Sequence, residues 1–167
     1  MNRRRRPADS RGAVLVELAL IVPVLLLILF GLVEVGRGLY QQHILTKAVE
    51  AGARYMGRQP QLLDTETCDR SEPVWSTTLQ RAKNVVVYGS PGAGSAPLLP
   101  NMSVTAVTAS PRLQEVAGVA TEDLAGYPCV IRVEATAAFD PVIAPDDFLG
   151  LGKLVLKGTA EERYIGE

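Results

Sequence analysis

The chain has little with which to do chemistry. Its 167 residues include one histidine, His43, and two cysteines, Cys68 and Cys129. Two cysteines cannot build a four-cysteine zinc site or a disulfide-dense mini-protein, and no C-x-x-C pair occurs. There is no P-loop, H-E-x-x-H, nucleophile elbow or Ser-x-x-Lys. Asp146 and Asp147 adjoin Pro145 in a turn-like APDD and point to opposite sides if extended, a poor start for a paired-carboxylate site. The sequence therefore gives no reason to expect an enzyme, a metal or a cofactor. Net charge is also nearly absent: 17 basic residues against 18 acidic ones leave −1, which argues against nucleic acid or another polyanion as partner. Aromatic residues are scarce too, at 5% of a chain that is 47% hydrophobic. With a mean hydropathy of +0.15, that imbalance places the aliphatic residues in one region rather than throughout a core.

That region is the N-terminus. Arg3, Arg4, Arg5, Arg6 and Arg11 face a single acid, Asp9, and Ala13 to Val33 is then an aliphatic run of 21 residues. As a helix it spans about 31 Å, matching a hydrocarbon core of about 30 Å. A buried soluble helix is rarely apolar on every face. The five arginines before the run, against Glu34 and Arg37 after it, put the N-terminus in the cytoplasm by the positive-inside rule. A cleaved secretory signal fits less well, because the run is too long and no A-x-A-like site follows. Pro23 removes one backbone donor and predicts at most a mild kink. Glu17 is the costly residue, since a carboxylate in the bilayer is penalised by roughly 2.5–3.5 kcal/mol on insertion scales. On position alone it is either a side chain reaching for the cytoplasmic interface or a functional charge.

Its context favours the second. Gly12, four apolar residues and then Glu17 form a G-x-x-x-x-E arrangement at the head of a hydrophobic helix. This resembles the processing site of type IV prepilins and pseudopilins, in which a membrane aspartyl peptidase cuts after the glycine. The resemblance implies a new α-ammonium at Ala13, and Glu17 could pair with such a group on a neighbouring subunit, lowering the penalty on both charges. The longer stretch from Arg11 to Tyr40 is similar to the TadE-like family of tight-adherence (Flp-type) pilus assembly proteins. Members read RG, then VE and AL, a proline-broken leucine run, and FG-x-x-E-x-G-R. The matching residues are Arg11, Gly12, Val16, Glu17, Ala19, Leu20, Pro23, Phe30, Gly31, Glu34, Gly36 and Arg37. A weaker likeness extends to the VVVYG of Val85 to Gly89. The chain is much longer than a major Flp pilin, so the resemblance implies a minor pilin or pseudopilin.

Beyond the run, Glu34 to Gly57 keeps a helical pattern, with Leu39, Ile44, Leu45, Ala48, Gly52, Tyr55 and Met56 recurring at three- and four-residue steps. Glu50 and Arg54 are spaced for an i,i+4 ion pair, and Gly57 and Pro60 are stop signals. The small residues Ala48, Ala51, Gly52 and Ala53 suit close packing, either on the protein's own head or on a partner. Gln59 to Pro73 reads as irregular. Thr77 to Tyr88 has a helical pattern whose V-V-V-Y end could equally be extended. Gly89 to Pro100 reads as a Gly/Pro/Ser loop without packed structure. Strands are expected over Met102–Ala109 and, more clearly, Cys129–Phe139, where Ile131, Val133, Ala135 and Ala137 share one face. Leu154–Leu156 and Thr159–Ile165 close the chain as a further strand or hairpin arm, and Pro111 to Tyr127 reads as an excursion between strands. A Cys68–Cys129 bridge would close a loop of about sixty residues and stabilise by roughly 4 kcal/mol in the entropic model, the alternative being two buried thiols.

The expected architecture is α+β and single-pass. Residues 1–12 are a basic cytoplasmic leader, 13–33 a transmembrane helix, 34–58 its periplasmic continuation, and 59–167 a periplasmic head with a small antiparallel sheet on the upper helix. The resemblance implies a bacterial inner-membrane location, a role in pilus assembly, adhesion and biofilm formation, and as partners other pilin subunits, the prepilin peptidase, the assembly platform and the lipid bilayer. The alternative is a permanently anchored interaction protein of the same machinery that never enters a filament. A membrane-tethered enzyme is the remote third reading.

Overall fold

A computed structural model describes residues 10–114, 128–142 and 154–166. One helix, α1, runs unbroken from Ser10 to Gly57, with Pro23 inside it. At about 1.5 Å per residue it is about 70 Å long. Only its upper part is patterned for burial. Leu45, Ala48, Val49, Gly52, Ala53 and Met56 recur at alternating three- and one-residue steps and form the buried stripe, with Leu45, Val49 and Met56 fully buried. Ala51 faces solvent, so the small residues Ala48, Gly52 and Ala53 pack on the protein's own head. Glu50 pairs with Lys47 at 3.0 Å, one turn back, rather than with Arg54.

After α1 an irregular segment turns back through a bridge between Leu63 and Arg70 and contributes Leu62 and Leu63 to the core. Helix α2 follows from Val74 to Tyr88. Trp75, Thr78, Ala82, Val85 and Val86 fall on one helical face, which resolves the ambiguity of the V-V-V-Y end. Gly89, with φ +77°, closes α2 in the left-handed cap that glycine adopts without strain, its N–H donating to the Val85 carbonyl. α2 lies against α1 so closely that a Cβ at Gly52 would stand 2.4 Å from Val86 Cγ2. The Gly/Pro/Ser stretch is more engaged than its composition predicts. The Leu98 N–H donates to the Val87 carbonyl at 2.7 Å, and Leu99 is buried in the core.

The sheet has three antiparallel strands in the order β1-β2-β3: Val107–Leu113, Cys129–Phe139 and Leu154–Arg163. β2 has the expected bounds and faces, with Ile131, Val133, Ala135 and Ala137 buried against the helices. β3 is one continuous strand rather than two pieces. β1 departs further from expectation. Val104–Ala106 form a turn of 3-10 helix, and the strand starts only at Val107 and runs through Pro111. It is an edge strand, where a missing N–H is tolerated, and Pro111 stands opposite Ile131. β3 meets α1 at Gly158, where an added Cβ would be 3.1 Å from both Leu45 Cγ and Val49 Cγ2. The outer face of the sheet is charged and cross-linked: Arg112 pairs with Glu161 at 2.6 Å, Arg132 with Glu134 at 2.7 Å, and Lys157 with Glu134 at 3.6 Å.

The chain end locks these parts together. The Leu62 N–H donates to the Tyr164 hydroxyl at 2.9 Å, the Tyr164 N–H to the Cys129 carbonyl at 2.8 Å, and the Ile165 N–H to the Gly57 carbonyl at 2.9 Å. Cys68, in the segment after α1, forms a disulfide with Cys129, the first residue of β2, with Cα atoms 5.6 Å apart.

Candidate assembly helix and its junction with the head

Among the described residues, none covers the apolar surface of the lower part of α1. From Gly12 to Val33 every residue is exposed, and the most apolar 18-residue window of the helix is 0% buried, with a hydropathy of 3.0. A soluble core helix would be mostly covered. Among the described residues this is the one helix long and apolar enough to cross a membrane.

The residues expected to govern processing lie at its start. Gly12 and Ala13 fall in the first turn of α1, where backbone N–H groups have no partner within the helix and the chain unwinds most easily. Nothing approaches within 4 Å of where a Cβ on Gly12 would lie. Glu17 is exposed and stands one turn above Ala13, on the same face of the helix. Arg11 is in the helix as well. Pro23 and Gly31 are exposed along the run, and Gly31 and Gly36 have open space around them.

Glu34 and Arg37 do something different. They form the junction at which α1 first touches the head. Arg37 Nη1 donates to Glu34 Oε1 at 2.9 Å, and the Val142 N–H, just past the end of β2, donates to the same oxygen at 3.2 Å. The Arg37 guanidinium lies over the ring of Phe139, 5.8 Å from its centroid. Gly38 gives that ring room, since a Cβ there would sit 3.8 Å from it. The Glu34 side chain keeps only 16% of its exposure. One turn further up, Gln42 Nε2 donates to the Lys157 carbonyl of β3 at 2.9 Å. The Glu-x-x-Arg pair thus fastens the bottom of the sheet to the helix. Glu17 lies 17 residues below Glu34, about 25 Å along the axis, so the two parts of the motif form separate sites. Phe139 and Val142 escape sequence reasoning, because nothing local ties the end of a strand to a helix a hundred residues earlier.

Residues 12–54 match the TadE-like protein family. Over most of its length α1 is similar to that family. The TadE-like match covers Gly12, Glu17, Pro23, Gly31, Glu34, Gly36 and Arg37. It ends three residues before α1 does and does not reach Val85–Gly89, where the VVVYG patch instead closes α2. No curated protein and no solved structure matches the chain.

Other candidate chemistry is thin. His43 is an exposed residue on α1. Among the described residues no group of three or more His, Cys, Asp or Glu side chains is placed to hold a metal. Asp146 and Asp147 lie outside the described residues, as do most of the Pro111–Tyr127 excursion and residues 1–9. Asp64 is held below the usual carboxylate range by backbone N–H groups, first that of Thr67 and then that of Glu66, donating to Oδ1 at 3.1 and 2.8 Å. It orders the loop that carries Cys68, whose N–H donates to the Asp64 carbonyl at 2.9 Å.

Proposed function

We propose that this protein is a minor pilin or pseudopilin of a tight-adherence pilus, held in the bacterial inner membrane with its head in the periplasm. The observation that carries the reading is the coincidence of the TadE-like match with an apolar helix that the protein's own fold leaves uncovered. A prepilin peptidase cuts between Gly12 and Ala13. Removing five arginines and one aspartate from 17 basic and 18 acidic residues changes the net charge from −1 to −5 and deletes the cytoplasmic anchor of the helix. The new α-ammonium at Ala13 and the carboxylate of Glu17 then offer complementary charges to neighbouring subunits. In apolar surroundings each charge is costly unless paired, which favours docking of one helix against another. The role is structural, in pilus assembly and through it in adhesion and biofilm formation, and no residue is assigned to catalysis.

Mass spectrometry of protein recovered from membranes tests the first step: an N-terminus at Ala13 is expected. An intact leader would instead mark a permanently anchored interaction protein of the same machinery. Glu17→Ala is expected to leave insertion unchanged and to impair piliation; full piliation would remove the role given to Glu17.

A further inference from the structure

The lower rim of the head is apolar where the fold does not require it. Val142 after β2 and Leu154 and Val155 at the start of β3 are 72%, 57% and 55% exposed, and on the facing side of α1 Val35 and Leu39 are exposed as well. Between helix and strands lies a cavity of about 430 Å³, walled by Gly38, Leu39, Phe139, Leu154 and Leu156. Gln42 beside it is engaged with the Lys157 carbonyl, and Glu34 Oε1 accepts from Arg37 and the Val142 N–H, while Glu34 Oε2 is buried without a hydrogen-bond partner among the described residues.

We propose that this rim is a second membrane contact, seated in the interface of the phospholipid bilayer that α1 crosses. The inference rests on the reading of α1 as a membrane span. Height is the first argument. Val35 and Leu39 stand about 3 and 9 Å beyond Val33 at the helical rise, which places them in or at the edge of the headgroup layer of about 5–8 Å on each side of the hydrocarbon. Continuity is the second, because on the helix side that carries Val35 and Leu39 the residues one and two turns below, Leu32, Gly31 and Ile28, are exposed and apolar as well. Charge is the third. Glu34 and Arg37 neutralise each other at this level. The charged residues of the sheet's outer face begin higher, at Lys157, three residues up β3 from Leu154 and paired with Glu134. Two contacts, a span and a rim, fix the tilt of the head where a span alone leaves it free to swing.

Tryptophan probes in the full-length protein test this. Leu154→Trp and Leu25→Trp, with the parent chain and its buried Trp75 as blank, are reconstituted in phosphatidylcholine–phosphatidylglycerol vesicles carrying acyl chains brominated near the headgroup or near the chain end. Leu154→Trp is expected to shift to shorter wavelength and lose most of its emission to shallow bromine, and less to deep bromine. Leu25→Trp is expected to be quenched as well. An unquenched, water-like Leu154→Trp beside a quenched Leu25→Trp overturns the rim contact and leaves the span intact. An unquenched Leu25→Trp overturns the span and the rim contact with it. Shielding of Leu154→Trp that grows only with protein density, without bromine quenching, assigns the cavity to a second copy of the chain and also overturns the proposal.

Discussion

From Gly12 to Val33 and from Gln42 to Gly57 the same helix keeps the same backbone, yet the two stretches obey different solvents. The lower stretch is apolar around its circumference and stays exposed, uncovered by any of the described residues. The upper one concentrates Leu45, Val49, Gly52 and Met56 on one side, buries them under α2 and the sheet, and leaves Lys47, Ala51 and Arg54 outside. A helix in water must hide one face, whereas a helix in lipid must offer an apolar surface all round and satisfy its backbone internally. Stability of the head is therefore expected to depend on the upper stretch alone.

The sharpest break of that contrast is reduction of Cys68–Cys129. The bridge spans 61 positions, and opening it is expected to cost the head about 4 kcal/mol in the entropic model while leaving membrane insertion of α1 unchanged. Urea unfolding of the detergent-solubilised protein with and without reductant measures the first, and alkaline extraction of membranes the second. Next comes a matched pair of truncations. Leu45→Ala, at a fully buried position, is expected to lower unfolding stability by about 2–5 kcal/mol, and Leu27→Ala, at an exposed one, by less than about 0.5 kcal/mol. Equal losses would mean that the lower stretch has a partner within the chain. At the boundary, Arg37→Ala removes a half-exposed pair that loses much of its strength to solvent screening, together with a ring contact. A cost of about 1 kcal/mol or less is expected in the same assay.

The smallest effect concerns Asp64. Its pKa is lower in the fold than in the unfolded chain, so its contribution is present above about 3.9 and is lost as pH falls through the folded value. The gap in urea midpoint between the parent and Asp64→Asn is expected to narrow as pH drops below about 3.9. A gap that widens would reverse the sign.

The sequence exposes most of this architecture because each stretch declares its surroundings locally. The uninterrupted aliphatic run gives the lower helix, the alternation of Ile131, Val133, Ala135 and Ala137 with Arg132, Glu134 and Thr136 gives β2, and Gly57 stops α1. β1 is displaced because Pro111 reads as a breaker, and only the sheet order reveals that it lies on an edge strand where its missing donor is harmless. Leu99 is hidden in a loop composition and enters the core through the pairing of Leu98 with Val87. At the candidate site, Glu17 and the Glu34–Arg37 pair stand out as charges in or beside an apolar run. Their division of labour does not, because Glu34 and Arg37 acquire their function from Phe139 and Val142, which are brought to them only by the completed sheet.

The continuity of α1 makes it a shaft with a fixed phase. Successive residues are offset by about 100° and 1.5 Å, so the compass direction of Glu17 is set relative to the direction in which the sheet shows its charged face. A neighbour that engages Glu17 therefore meets a predetermined side of the head, which begins about 25 Å further along the helix and extends to about 60 Å. Inserting one residue between Val24 and Leu29 would turn the head by roughly a quarter of a revolution without altering either end's chemistry.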